Sequence, residues 1–162
     1  MRRLKITLSM VFLLLIAVSG MTAMPTQAMA ADPVYECQPT HPDLEGPFYK
    51  PGAPVRASVG KGYLLTGKVL SARDCKPVSK ARIELWQTGP HGDYDDDHRA
   101  TLFSEKSGQY MFESNLPPGY SGRPPHIHMR ISADGFKTLT TQHYPEKGKT
   151  TSKFNLILIP LE

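Results

Sequence analysis

The segment Arg123-Pro124-Pro125-His126-Ile127-His128 carries the residues best suited to chemistry. In an extended strand side chains alternate between faces, so His126 and His128 project to the same side and can grip one metal ion. Tyr120 lies just ahead of this segment, and Tyr94 follows Trp86 by eight residues. These two tyrosines supply candidate third and fourth ligands. Taken singly, each residue has an ordinary structural use as well: a strand histidine, a surface aromatic beside Asp93, Asp95, Asp96 and Asp97, or an arginine in a Pro/Gly loop making a surface ion pair. A His-x-His pair also serves copper and zinc sites of unrelated β-proteins.

Short strands are the elements available to position these residues. Candidate strands run over Tyr63–Leu70, Ala81–Trp86, Ala100–Ser104, Gln109–Glu113, Pro125–Ile131, Thr138–His143 and Asn155–Ile159, divided by Gly, Pro, Asp and Ser. In Ala81–Trp86, Ile83 and Leu85 share one face and Arg82 and Glu84 the other, the pattern of a half-buried strand. No window after residue 31 sustains apolar spacing at i, i+3, i+4 and i+7. The expected fold is all-β, a β-sandwich of seven or eight short strands at residues 62–162. Ahead of it, prolines at 33, 39, 42, 47, 51 and 54 make residues 32–61 an extended N-terminal arm laid on the domain. Leu116-Pro117-Pro118-Gly119-Tyr120 cannot be helical, which makes Tyr120 a loop residue with freedom to move. Trp86 reads as core packing, and His41, His91, His98 and His143 as surface residues.

Residues 1–31 read as a cleaved export signal. Arg2, Arg3 and Lys5 precede the apolar run Val11–Val18, and Ala28-Met29-Ala30 forms a cleavage signal. The run is too short to span a bilayer comfortably, so stable membrane insertion is not expected. Of the 19 Lys and Arg and 15 Asp and Glu, the signal holds three basic residues and no acidic one, leaving a mature charge near +1. Nucleic-acid binding driven by net charge loses its support. Cys37 and Cys75 are the only cysteines, and in an oxidising compartment they form a candidate disulfide. Such a bridge would stabilise the domain by about 3–4 kcal/mol.

The pattern as a whole resembles the intradiol ring-cleavage dioxygenases, particularly the protocatechuate dioxygenase type. The similarity runs through Glu45-Gly46-Pro47-Phe48-Tyr49, Leu65-x-Gly67-x-Val69, Cys75-x-Pro77-Val78-x-x-Ala81-x-Ile83-Glu84-x-Trp86-Gln87 and Gly92-x-Tyr94. It continues in Gly108-x-Tyr110-x-Phe112, Pro118-Gly119-Tyr120, Arg123-Pro124-x-His126-Ile127-His128 and Leu139-Thr140-Thr141-Gln142-x-Tyr144. The resemblance implies that Tyr94, Tyr120, His126 and His128 bind non-haem Fe(III), a hard ion suited to phenolate oxygens, which acts as a Lewis acid. It implies that a catechol binds as a dianion and displaces Tyr120, that Arg123 stabilises charge developing as O2 attacks the ring, and that Gln142 supports the site by hydrogen bonding. The product would be a cis,cis-muconate.

Only Ser121 and Gly122 separate Tyr120 from Arg123, a shorter loop than the well-known enzymes carry, and the export signal also sets this chain apart. The partners expected are a catecholic small molecule and O2, with a homo-oligomer left open and a periplasmic or secreted location. Two other classes remain at this level. One is a prealbumin-like or adhesin-type binding module, in which the tyrosines and histidines need not converge. The other is an exported copper-binding protein using the His pair and Met129.

Overall fold

A computed structural model describes residues 34–161. The export signal expected at residues 1–31 lies outside the described residues. Among the described residues no helix forms, and eight strands make two four-stranded sheets. They are β1 (Tyr63–Ser71), β2 (Arg82–Trp86), β3 (Arg99–Phe103), β4 (Gln109–Ser114), β5 (Ile127–Ser132), β6 (Leu139–His143), β7 (Thr151–Lys153) and β8 (Leu156–Leu158). The all-β sandwich expected from the sequence is the fold observed. Seven of these strands lie within two residues of their expected bounds. The eighth, β7, was not anticipated.

One sheet has the order β3-β2-β5-β6, antiparallel throughout. In the other, β1 pairs antiparallel with β4 along one edge and parallel with β7 and then β8 along the opposite edge. Period-2 alternation sends Leu65, Val69, Tyr110, Phe112, Leu156 and Leu158 inward from this sheet. They meet Ile83, Leu85, Ala100, Leu102, Ile127, Met129, Ile131 and Leu139 of the first.

The outer face of the β3-β2-β5-β6 sheet carries the functional row. Register places Arg99, Trp86, His128 and Gln142 side by side across the four strands, with Thr101, Glu84, Arg130 and Thr140 in the next row. Glu84, expected on a solvent-facing side, is only 4 % exposed, because the arm covers this face. Tyr49, Arg82 and Arg130 all reach its carboxylate, at 3.2–3.4 Å. A buried carboxylate needs that many partners.

The arm follows both edges of this sheet. His41, Asp43 and Leu44 bond to Thr141, Thr140 and Gln142 of β6. Residues 46–49 then cross the outer face, and Ala53, Pro54 and Arg56 bond to Thr101 of β3. Prolines suit this path, since the arm docks through scattered carbonyls and amides and not as a full ladder. At its start, Cys37 forms a disulfide with Cys75, which sits in the turn after β1.

Candidate metal centre

Tyr94 reaches the sheet from the β2–β3 loop and places its hydroxyl between two imidazoles, 2.9 Å from His126 Nε2 and 3.1 Å from His128 Nε2. His128 lies in β5, and His126 immediately precedes that strand but keeps its alternation. The two rings stand 4.8 Å apart between centroids and on one side of the chain, as the His-x-His spacing requires. Met129 points the opposite way into the core and is fully buried, which removes it from any ligand set.

The protonation of the cluster follows from its hydrogen bonds. His126 Nδ1 lies 2.7 Å from the Pro124 carbonyl and therefore donates to it, leaving the Nε2 lone pair free. Burial is the main cause holding both histidines below their ordinary pKa, His128 down to about 4, so both are neutral near pH 7. His128 is stacked on Trp86 at 4.9 Å and 6°, and its buried Nδ1 has no hydrogen-bond partner. Burial also pushes the Tyr94 phenol up to about 12, against the lowering pull of the Arg123 and Arg99 guanidinium groups. Two neutral imidazoles and a phenol therefore share too few protons to satisfy every buried lone pair. A cation bound by Nε2 of both histidines and the Tyr94 oxygen resolves this, so the residues fit a metal.

Tyr120 stands beside this trio without joining it. Its ring packs edge-on against Tyr94 at 5.4 Å and Phe48 at 5.5 Å, and its hydroxyl makes no hydrogen bond to Tyr94, His126 or His128. The sequence reads Tyr120 as a loop residue free to move, and the short Ser121-Gly122 spacer limits that freedom in its backbone. Tyr120 and Arg123 exchange two backbone hydrogen bonds, and the intervening Ser121 and Gly122 both have positive φ, the signature of a type I′ turn. Mobility at Tyr120 thus belongs to the side chain.

The structure brings Arg123 and Gln142 together. Arg123 Nη2 donates to Gln142 Oε1 at 2.7 Å and to the Tyr144 hydroxyl at 3.1 Å. Gln142 Nε2 donates to the Leu44 carbonyl of the arm, which orients its amide.

Several contributors escaped the sequence reading. Phe48 stacks on Tyr94 at 4.4 Å and 12°, and the buried Arg99 holds the Phe48 carbonyl at 2.6 Å. Gly46 lies so near His128 that a Cβ there would stand 3.2 Å from the ring. Trp86, assigned to the core, instead lies on the outer face under His128. The signal for Gly46 and Phe48 was the Glu45-Gly46-Pro47-Phe48-Tyr49 segment. His143, read as a surface residue, is buried and bonds Tyr63 Oη at 2.7 Å, whereas His41 and His91 are exposed and His98 pairs with Asp95.

No protein-family model matches the chain. The chain is 28 % identical to chlorocatechol 1,2-dioxygenase of Pseudomonas sp. (strain P51), over 67 % of this chain and 57 % of that protein. It is 31 % identical to hydroxyquinol 1,2-dioxygenase of Rhodococcus opacus, over 80 % of this chain and 53 % of that protein. It spans about half the length of the curated relatives it matches. Among solved structures it superimposes on the dioxygenase domain of a dioxygenase and carbohydrate-binding protein fusion from Streptomyces sp. SirexAA-E. The TM-score is 0.70 at 27 % identity, over 76 % of this chain and 100 % of that one. An intradiol ring-cleavage dioxygenase from Tetranychus urticae shares the fold, with TM-score 0.70 at 19 % identity, over 78 % of this chain and 97 % of that one.

Proposed function

Because the chain belongs to the intradiol ring-cleavage dioxygenase family, we propose that it is a non-haem Fe(III) enzyme that opens a catechol-type ring between its two hydroxylated carbons. Its co-substrate is O2 and its product a cis,cis-muconate. The observation that carries this reading is the convergence of the Tyr94 oxygen with Nε2 of His126 and of His128. A binding module has no use for such a cluster of buried lone pairs, and the copper reading loses Met129 to the core.

Tyr94, Tyr120, His126 and His128 hold the metal in this proposal. Bound ferric iron supplies Lewis acidity toward the substrate oxygens and charge donation that readies the ring for O2. The remaining work falls to the chain. Tyr120, edge-on to Tyr94 and half-exposed, accepts a catechol proton at its Oη. Neutral His126 and His128 donate lone pairs without prior deprotonation near pH 7. Arg123, held by Gln142 and Tyr144, presents a fixed cation to negative charge that develops on the substrate. Phe48 and Trp86 pack against Tyr94 and His128 and keep water from the metal's protein side.

The substrate class is a small catecholic molecule, and the domain works after export. Support for export comes from the signal pattern at residues 1–31 and the paired cysteines. Among the described residues no helix is long and apolar enough to cross a membrane. N-terminal sequencing of the protein recovered outside the cytoplasm should find a start near Asp32; a cytoplasmic protein retaining Met1 would refute export.

The visible spectrum of the iron-loaded mature protein tests the activity. Tyrosinate-to-Fe(III) charge transfer should colour the protein, anaerobic catechol should shift the band, and O2 should then bleach it with formation of a muconate. A colourless protein that takes up iron poorly would overturn the proposal.

A further inference from the structure

Arg123 is held by a chain of contacts that begins in the arm. The Asp43 backbone amide donates to the Thr140 carbonyl at 2.9 Å, pinning the residue beside β6. Its Oδ1 accepts from the Leu44 amide at 2.6 Å, which fixes the rotation of the carboxylate and aims Oδ2 outward. Tyr144 Oη lies 2.8 Å from that oxygen. A tyrosine hydroxyl has one proton, and the carboxylate is the stronger acceptor, so the proton goes to Asp43. The lone pairs of Tyr144 then face Arg123 Nη2 at 3.1 Å. The second N–H of the same nitrogen is taken by Gln142 Oε1, whose amide is oriented by the Leu44 carbonyl. Both acceptors of the guanidinium are thereby set by two consecutive arm residues.

We propose that Asp43 is a positioning residue for Arg123: by fixing the direction of the Tyr144 hydroxyl, it holds the guanidinium toward the metal face. Without the carboxylate, the Tyr144 proton is free to turn toward Gln142 Oε1, 3.1 Å away, and to compete there with Arg123. The arginine then loses one acceptor and shares the other. The inference rests on the reading that Arg123 serves the reaction, while the orientation itself is a property of the metal-free protein. Arg123 lies 80 residues after Asp43 in the chain, so the coupling is purely tertiary and belongs to the docked arm.

The test is a double-mutant cycle with a structural readout. Asp43→Ala and Tyr144→Phe should each lower kcat for catechol about five-fold with KM nearly unchanged, the size expected of a charge-assisted contact at a partly exposed site. In an Arg123→Ala background the Asp43→Ala step should cost less than about two-fold, since the group it positions is gone. In metal-free protein, nitrogen-15 NMR should show the Arg123 guanidinium ordered in the wild type and freely rotating in Asp43→Ala. Asp43→Asn, which keeps the shape of the turn, serves if the alanine variant does not fold. Equal costs in both backgrounds, or an Arg123 that stays ordered, would overturn the proposal. A wild-type protein inert toward catechols whose Arg123 still loses order in Asp43→Ala would overturn the proposed function and uphold the positioning role.

Discussion

Gly46→Ala, set against Gly52→Ala, measures how closely the arm is fitted to the metal centre. Both glycines lie in the arm with left-handed backbone, φ 72° and 82°, so an L side chain at either costs about 1 kcal/mol in backbone strain. They differ in their surroundings. A Cβ at Gly46 would stand 3.2 Å from His128 Cε1, whereas a Cβ at Gly52 has nothing within 4 Å. His128 is stacked on Trp86 and held by Tyr94, which limits its ability to yield. Overpacking against so fixed a ring adds about 1–2 kcal/mol, the lower part of the usual range. Gly46→Ala should therefore lose about 2–3 kcal/mol and Gly52→Ala about 1 kcal/mol in urea denaturation. Displacement of the imidazole should also weaken ferric binding by about ten-fold in Gly46→Ala, equivalent to about 1.4 kcal/mol, and leave Gly52→Ala unchanged. Equal destabilisation and equal iron affinity in the two variants would refute the close fit of the arm over His128.

Replacing Cys37 and Cys75 by serine should cost about 4 kcal/mol, the chain-entropy value for a separation of 38 residues. Calorimetry should show a Tm lower by roughly 10–20 °C. Phe48→Ala removes the ring stacked on Tyr94 and should destabilise the domain by about 2 kcal/mol in urea denaturation, with Phe48→Leu losing less than half as much. Stability should also depend on His143, whose pKa burial depresses to about 4. The unfolded chain binds that proton near pH 6.5 and the folded one only near pH 4, so stability falls as pH drops through this window, by on the order of 3 kcal/mol. His143→Gln should remove its own share of the fall and leave the share of the buried His126 and His128, measured by urea denaturation of metal-free protein from pH 7 to 4.

The strands were legible because most of them alternate. Ile83 with Leu85 and Ile127 with Met129 and Ile131 mark a buried face by period alone, whereas Thr151-Ser152-Lys153 has no apolar member to mark its pairing with β1. Alternation failed at Glu84, where a polar residue implied solvent and the arm supplied Tyr49 and Arg130 instead. The same rule would have placed His143 correctly, since Leu139, Thr141 and His143 share the inner face. The candidate metal ligands were legible as residue types at fixed spacing. Their cover was not, because Gly46, Phe48 and Asp43 reach the site through tertiary docking of a segment with no strand pattern of its own. Ser121-Gly122 did carry the signature of a tight turn, and it fixes the Tyr120 backbone more firmly than a loop reading allowed.

The arm that roofs the metal centre is also the earliest part of the domain to be synthesised. Its partners in β6 come about 100 residues later, as the contacts of His41 and Leu44 with Thr141 and Gln142 show. During synthesis the stretch from His41 to Leu44 must therefore wait, unpaired, for β6, whereas Cys37 and residues 53–56 find Cys75 and Thr101 of β3 earlier. Its prolines suit that delay, because a segment poor in free amide donors makes a poor template for stray strand pairing. Closure over His128 is then among the last long-range events of folding. A nascent chain stopped before β6 would have its histidines and Tyr94 but no partner to lock Asp43 and Leu44 in place, so the centre is roofed only once β6 has been made.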